Sequence, residues 1–344
     1  MSLNKQFIGF IATLAVIVSF STGVAHSKDR ILRADTGSPG ASSHTATVVV
    51  GKVLGSRAGF TLQVNDSQTL TRSALKLGRG QLDWMPFPTA IPVLMKKGRG
   101  PYKKEPMKTK AAEQLKNIRS LWGWNANLFH FVTFDVDKIK TFQDLKGKVV
   151  YTGPPSGAAA VTSEAIIRAL TGFEPNKDYK AKRMPWGGGF QAMMDGKLDV
   201  FVRPSAAGGA ILEQLGLKNK FRLLDAEDAG LLKQWGKHPA RVVGEIPAGT
   251  YDAQVNNGKA IVAAGTTFFI AVNKTNISPE LAYKMTKITW DHIDEIHKSA
   301  KTLSTIDKKK PFVGVNVPLH VGAVKYYKEV GMKIPGRLIP PEAK

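Results

Sequence analysis

The sequence predicts an α/β protein of two similar lobes, joined by two chain crossings and separated by a cleft. Three observations carry this. Strand-like and helix-like segments alternate along the chain, which implies parallel sheets covered by helices on both faces. The first such unit is repeated: at one constant spacing Thr36-Gly37 matches Thr152-Gly153, Pro39 matches Pro155 and Leu54 matches Leu170. At that same spacing Gly80 matches Gly196, Leu82-Asp83 matches Leu198-Asp199, and Pro88 and Ala90 match Pro204 and Ala206. Two strand-like runs, Leu128 to Thr133 and Thr266 to Val272, then sit where the chain must pass from one lobe to the other and return. Residues 28–131 plus 268–344 are thereby assigned to lobe 1 and residues 132–267 to lobe 2, each with its own sheet.

Taken in order, the chain starts with Lys5, an uncharged apolar run from Phe7 to Phe20, and small residues at Gly23-Val24-Ala25 and Ala25-His26-Ser27. This is the pattern of a cleaved export leader over residues 1–27, and the run falls short of the ~20 apolar residues of a membrane span. Each repeat then opens with a strand, Ile31 to Ala34 or Lys148 to Tyr151, and a Thr-Gly-x-Pro turn. A helical stretch follows and ends near Gly55 or Gly172. A second strand comes next, Phe60 to Val64 or Tyr179 to Met184. A short helix runs to Gly80 or Gly196, where glycine suits a left-handed helix end. Leu-Asp opens the third strand and a proline closes it. Residues from about Pro335 read as a proline-rich tail.

Composition narrows the class. The chain has 344 residues and no cysteine. That length allows two ordinary cores without disulfides, and the missing thiols exclude thiol catalysis, thiolate metal sites and a lipidated cysteine. The net charge of +22 fits anionic partners. The basic residues are dispersed, the longest run being Lys308-Lys309-Lys310, with no zinc-finger spacing or RNP-type motif. A small anionic solute is therefore expected, with no nucleic acid and no stable membrane insertion; an exported polyanion-binding protein is the alternative. An enzyme on the same fold is the remaining rival, and no phosphate loop, Gly-x-Ser-x-Gly elbow or His-Glu-x-x-His occurs. No catalytic residue, cofactor or metal is implied.

In open parallel sheets ligands bind beyond the carboxyl ends of the strands. That rule selects the helix starts at Ser38, Ser42, Ser43 and His44 and at Ser156-Gly157, where free backbone N–H groups favour an anion and simple N-capping would use the same residues. It also selects Thr69 and Thr71 as hydroxyl donors, and Trp186, ahead of three glycines, as an apolar wall. Phe87 and Thr89, flanking Pro88, are set against Arg203 and Ser205, flanking Pro204. Arg203 can clamp a carboxylate through two parallel hydrogen bonds. An amino-acid ligand would also need an acceptor for its ammonium, and Asp35 is the nearest. Asp83 and Asp199, at the opposite strand ends, read as turn or capping residues, and His292, His297 and His320 as structural.

With these pieces assembled, the chain from about residue 30 to 333 resembles the TAXI family of solute-binding proteins of TRAP transporters. The resemblance is carried by Pro318-Leu319-His320-Val321-Gly322-Ala323-Val324-Lys325-Tyr326-Tyr327-Lys328-Glu329-Val330-Gly331 and by Ile246-Pro247-Ala248-Gly249-Thr250-Tyr251. Ile139 to Lys148 resembles the segment that enters the second lobe in several related binding-protein families. The resemblance implies the type II periplasmic binding fold, closing about a hinge, a periplasmic location, and TRAP membrane subunits as partner. Known members associate with glutamate or 2-oxoglutarate. Where they often carry Thr-Gly-Ser-x-Gly-Gly followed by paired tyrosines, this chain reads Thr36-Gly37-Ser38-Pro39-Gly40-Ala41-Ser42-Ser43-His44.

Overall fold

The computed structural model describes residues 30–227, 229–237 and 241–344; the expected leader over residues 1–27 lies outside them. The first repeat is β1 (Arg30–Asp35), α1 (Ser42–Ala58), β2 (Phe60–Asn65), α2 (Leu70–Gly78) and β3 (Trp84–Pro88). Helices α3 (Ala90–Lys97) and α4 (Met107–Leu115) lead into a long strand, β4 (Ile118–Thr133). The second repeat is β5 (Val149–Gly153), α5 (Ala158–Thr171), β6 (Lys180–Arg183), α6 (Trp186–Met194) and β7 (Val200–Ser205). After it come α7 (Ala210–Gly216), β8 (Arg222–Leu223), α8 (Ala229–Gly236), β9 (Val242–Ile246) and the second long strand, β10 (Ile261–Asn273). Helices α9 (Pro279–Asp291), α10 (Ile293–Ser299) and α11 (Val321–Glu329) then return to the first lobe.

The strand order is β2-β1-β3-β10-β4-β7-β5-β6, with β8 on β4 and β9 on β10. Read outward from its centre, each half has the same order. β1 runs parallel to β2 and β3, and β5 runs parallel to β6 and β7. A long antiparallel strand flanks each set, β10 against β3 and β4 against β7. This is the two-lobed type II periplasmic binding architecture, with two crossings and a cleft between the lobes.

The repeat is visible in atomic detail at the closed end of each sheet. The Asp83 carboxylate accepts a hydrogen bond from the Arg33 backbone N–H at 2.6 Å, while the Asp83 N–H donates to the Arg33 carbonyl. Asp199 does the same with Val149, its carboxylate accepting at 2.7 Å. Each aspartate thus clamps the third strand of its lobe to the first.

Separate apolar cores define the lobes. One gathers residues from Leu32 to Ala126 with residues from Phe268 to Leu338, around Trp84, Trp122, Trp124, Trp290 and Phe269. Two others lie in the second lobe. Val200 and Val202 point into one, with Phe131 and Phe142; Phe201 between them points into the other, with Tyr151 and Tyr251. That alternation is the period of a strand buried on both faces.

Two expectations are corrected. The lobes do not have separate sheets: β4 begins at Ile118, well before the expected crossing, and pairs with β10 from Asn273↔Ile118 to Gly265↔Leu128. The hydrogen-bond ladder therefore passes through both lobes without a break. The register slips between Thr266 and Thr267 and again between Phe269 and Ala271, and such bulges bend and twist a ladder locally. The crossing is a two-stranded antiparallel ribbon. The second correction is the tail, which is docked. Leu338 is buried, its carbonyl accepts from the Leu319 N–H, and Glu342 ion-pairs with buried Arg119 and, at 3.6 Å, with Lys274.

The sequence His320-Val321-Gly322 is explained by packing. His320 caps α11, its Nδ1 accepting from the Gly322 N–H at 3.2 Å while Nε2–H donates to the Ile277 carbonyl at 3.0 Å. A Cβ on Gly322 would sit 2.1 Å from the Pro279 carbonyl oxygen, so only glycine lets α11 lie this close to α9. Among the described residues no helix is long and apolar enough to cross a membrane.

The aspartate clamps give the first prediction. Asp199→Ala leaves the half-buried Val149 N–H at the start of β5 unpaired and should cost about 1–3 kcal/mol. Urea denaturation checks this, and solute affinity should survive because the clamp is at the end of the sheet away from the cleft.

Candidate functional site

The carboxyl ends of the strands in both lobes converge on a cavity of about 100 Å³. Lobe 1 supplies Gly37 and Ser38 after β1, Ala41 and Ser43 at the start of α1, Gln68 to Thr71 at the start of α2, and Pro88, Ala90 and Ile91 after β3. The second lobe supplies Pro154, Gly157, Ala158, Ala159 and Thr162 around the start of α5, together with Trp186, Arg203 and Pro204. Asn127 and Phe129 of β4 and Thr266 and Phe268 of β10 form the floor. The wall is a mixture of apolar surface and hydroxyl or amide groups with one charged side chain, Arg203.

Arg203 is 3% exposed. Strand β7 ends beside it, and Pro204 cannot continue the ladder as a donor. Its guanidinium lies 4.4 Å from the centroid of the Trp186 ring and 3.4 Å from the Ser38 hydroxyl across the cleft. Nε is buried with no partner, and no carboxylate pairs with the guanidinium among the described residues. Burial pushes it down to about 10 from the ordinary arginine range, with nearby Tyr151 acting the other way. It therefore still carries its charge at neutral pH. A buried, uncompensated charge costs several kcal/mol, and an anion seated against the guanidinium would offset that cost.

Both helix starts expose backbone donors to the same space. The residues before α1 and α5, Ala41 and Gly157, are extended, make no side-chain cap, and no acidic residue occupies either first turn. Free N–H groups and the positive end of the helix dipole favour negative charge there. The lobes also touch directly: the Thr71 hydroxyl donates to the Ser156 carbonyl at 2.6 Å.

Of the residues selected from sequence, Ser38, Ser43, Thr69, Thr71, Gly157, Trp186 and Arg203 come together on the cavity wall. The others stand behind it. Ser42 is buried and donates to Asn127 Oδ1. Ser156 presents its carbonyl to Thr71. Phe87 is fully buried and stacks on Phe269 at 5.2 Å. Thr89 donates to the Thr267 carbonyl at 2.6 Å and ties α3 to β10. His44 and Ser205 lie outside the wall, each with a buried, unpartnered polar atom. Asp35 is not free to receive an ammonium: it is buried and takes Lys76 at 3.1 Å, Ser73 at 2.8 Å and Asn65 at 3.2 Å. Sequence reasoning missed Gln68, Asn127, Thr162 and Thr266. The two on the crossings were hidden because their facing depends on the bulge.

Beneath the Arg203 strand lies a buried relay. His130 pairs with Arg203 in the β4–β7 register; its Nδ1–H donates to the Leu128 carbonyl at 2.9 Å, and Nε2 accepts from the Tyr251 hydroxyl at 3.0 Å. The same hydroxyl accepts from the Gly208 N–H at 3.1 Å. This gives Tyr251, at the end of the Ile246–Tyr251 motif, a definite role in holding the loop after β7.

A family model for the NMT1-like family matches residues 96–331. The chain belongs to that family. Among solved structures it is similar to the alkanesulfonate-binding protein of Xanthomonas axonopodis pv. citri bound to MOPS, with 14% identity, 91% of this chain and 97% of that one covered, and a TM-score of 0.48. It is similar to a TRAP periplasmic solute-binding protein of Ralstonia eutropha H16 bound to (S)-2-acetolactate, with 14% identity, coverage of 90% and 87%, and a TM-score of 0.47. It is also similar to the periplasmic aliphatic sulphonate binding protein of Escherichia coli, with 12% identity, coverage of 87% and 83%, and a TM-score of 0.44.

The relay sets a pH response. Burial pushes His130 down to about 4 from its ordinary 6.5, with backbone hydrogen bonds pulling weakly the other way. Its neutral form is the one the fold accommodates. Between these values the unfolded chain binds the extra proton, so stability is fully present above pH ~6.5 and declines as pH falls toward 4, by on the order of 3 kcal/mol. His130→Gln should flatten that part of the stability–pH curve, as measured by urea unfolding across the range.

Proposed function

We propose that this protein is an exported, periplasmic solute-binding receptor that captures a small organic anion by closure of two lobes and delivers it to TRAP membrane subunits, as the TAXI resemblance implies. In this reading residues 28–131 plus 268–344 form one lobe and residues 132–267 the other, with the leader removed on export. The observation that carries it is Arg203, a desolvated guanidinium without a carboxylate, facing a small cavity walled by both lobes. A carboxylate seated on it would also meet the Ser38 and Ser43 hydroxyls and the starts of α1 and α5. Among the described residues no acidic side chain stands on the wall to take an ammonium. The solute is therefore an acid without a positive group, closer to 2-oxoglutarate than to glutamate.

Nothing on the wall pairs a nucleophile with a base, which supports binding without turnover. Closure follows from contacts that span the lobes, Thr71 to Ser156 and Ser38 to Arg203, and a ligand favours the closed state only as far as it prefers it.

Calorimetry on protein unfolded and refolded to strip bound solute tests the reading. Arg203→Ala should weaken the solute by roughly 2–4 kcal/mol, and Arg203→Lys should recover only part, because a point charge cannot reproduce the planar fork. Undiminished affinity in Arg203→Ala overturns it, as does a neutral or cationic solute. Small-angle scattering should show compaction with saturating ligand, and Thr71→Val should reduce it.

A further inference from the structure

A second cavity, of about 600 Å³, opens beside the first. Ala90, Thr162 and Thr266 belong to the walls of both, so the two volumes adjoin at the interlobe boundary. Four basic side chains line the outer cavity: Lys97, Arg99 and Lys103 from lobe 1, and Arg241 from the second. No acidic residue lines it, and none of the four has an ion pair among the described residues.

The local backbone explains the gathering. Gly98 and Gly100 both have left-handed φ, +57° and +58°, and turn the chain sharply after α3. Lys97, Arg99 and Lys103 are thereby brought to one rim. On the other side the Arg241 guanidinium lies 3.9 Å from the centroid of the Trp235 ring. Trp235 is 4% exposed, and its indole N–H is buried without an acceptor. Partial burial pulls Arg241 below the ordinary arginine range, and no carboxylate among the described residues offsets this.

The second lobe thus carries the same device twice, Arg203 on Trp186 inside and Arg241 on Trp235 outside, one in each of two adjoining cavities. Stacking on an aromatic face fixes a guanidinium while leaving its edge donors free for a bidentate acceptor. We propose that the outer cavity is a second anion subsite, in which Arg241, Lys97 and Arg99 hold the far acid group of a solute whose first acid group sits on Arg203. This rests on the reading of the inner cavity as an acid site. A compact monoanion leaves the outer cations facing one another across the cleft, whereas a second acid group draws them together and adds to closure.

Calorimetry with linear α,ω-dicarboxylates from succinate to sebacate, each set against the monocarboxylate of equal length, tests this on the full refolded chain. The second carboxylate should add affinity that appears once the chain is long enough to reach the outer cavity, by about tenfold or more. Arg241→Gln should lower those dicarboxylates to the level of their monocarboxylates, and Lys97→Gln should do so in part. The proposal is overturned if the second carboxylate adds nothing at any length, or if Arg241→Gln weakens both series alike. Retention on heparin that Arg241→Gln abolishes, without a dicarboxylate gain, assigns the cluster to a polyanion and overturns it as well. Its failure is distinct from failure of the inner site: there, Arg203→Ala leaves every acid unaffected, or no acid binds at all and both readings fall.

Discussion

The antiparallel pairing of β4 with β10 is the constraint on which the rest of the structure depends. Each strand begins in one lobe and ends in the other, and their mutual ladder satisfies the backbone groups that loops at this place would have had to bury unpaired. Because the strands cross the boundary together, the cavity has a floor, made by Asn127, Phe129, Thr266 and Phe268. The ladder slips at Thr266/Thr267, so the floor also contains a bulge. One element holds the lobes together and lines the cavity.

The second organising fact is electrostatic. A strongly basic chain need not have a basic binding site, and most of the cations here sit on the surface. Arg203 differs by being buried against Trp186 with no carboxylate paired to it among the described residues. Its position reflects the architecture: Arg203 lies near the carboxyl end of β7, and those strand ends are where the two lobes face each other. The hydroxyls of lobe 1 add directional donors but no charge, so the charge on the cavity wall comes from the second lobe.

How much of this was legible in the sequence varies with the kind of signal. The repeat was readable because turn glycines, the Leu-Asp pairs and strand-closing prolines have local causes, and the Asp83 and Asp199 clamps show why those residues recur. Arg203 was readable because a charged residue just before a strand-closing proline has few places to go. Phe87 and Thr89 show the limit of that logic. They flank Pro88, which does line the cavity, but alternate residues of a strand face opposite ways, and these two turn inward to Phe269 and Thr267. The length of β4 was hidden because Ile118 to Trp124 reads as packing when nothing in the sequence tells which partner strand it meets. The outer basic cluster was invisible for another reason: Lys97 and Arg241 lie far apart in sequence, and tertiary folding alone unites them.

If the lobes close as proposed, the aspartate clamps have a consequence for how the open and closed states can be told apart. Each ties the first strand to the third within one lobe, and neither reaches across the β4–β10 ribbon. A closure that turned about that ribbon would leave both triple-stranded units as they were, and neither lobe, inspected by itself, would record whether the cleft is full. That information would exist only as the angle between them. Under the proposed reading, a membrane partner that discriminates cargo-bearing from empty molecules would have to make contact on both sides of the cleft at once, with a footprint spanning two surfaces whose relative position is the signal.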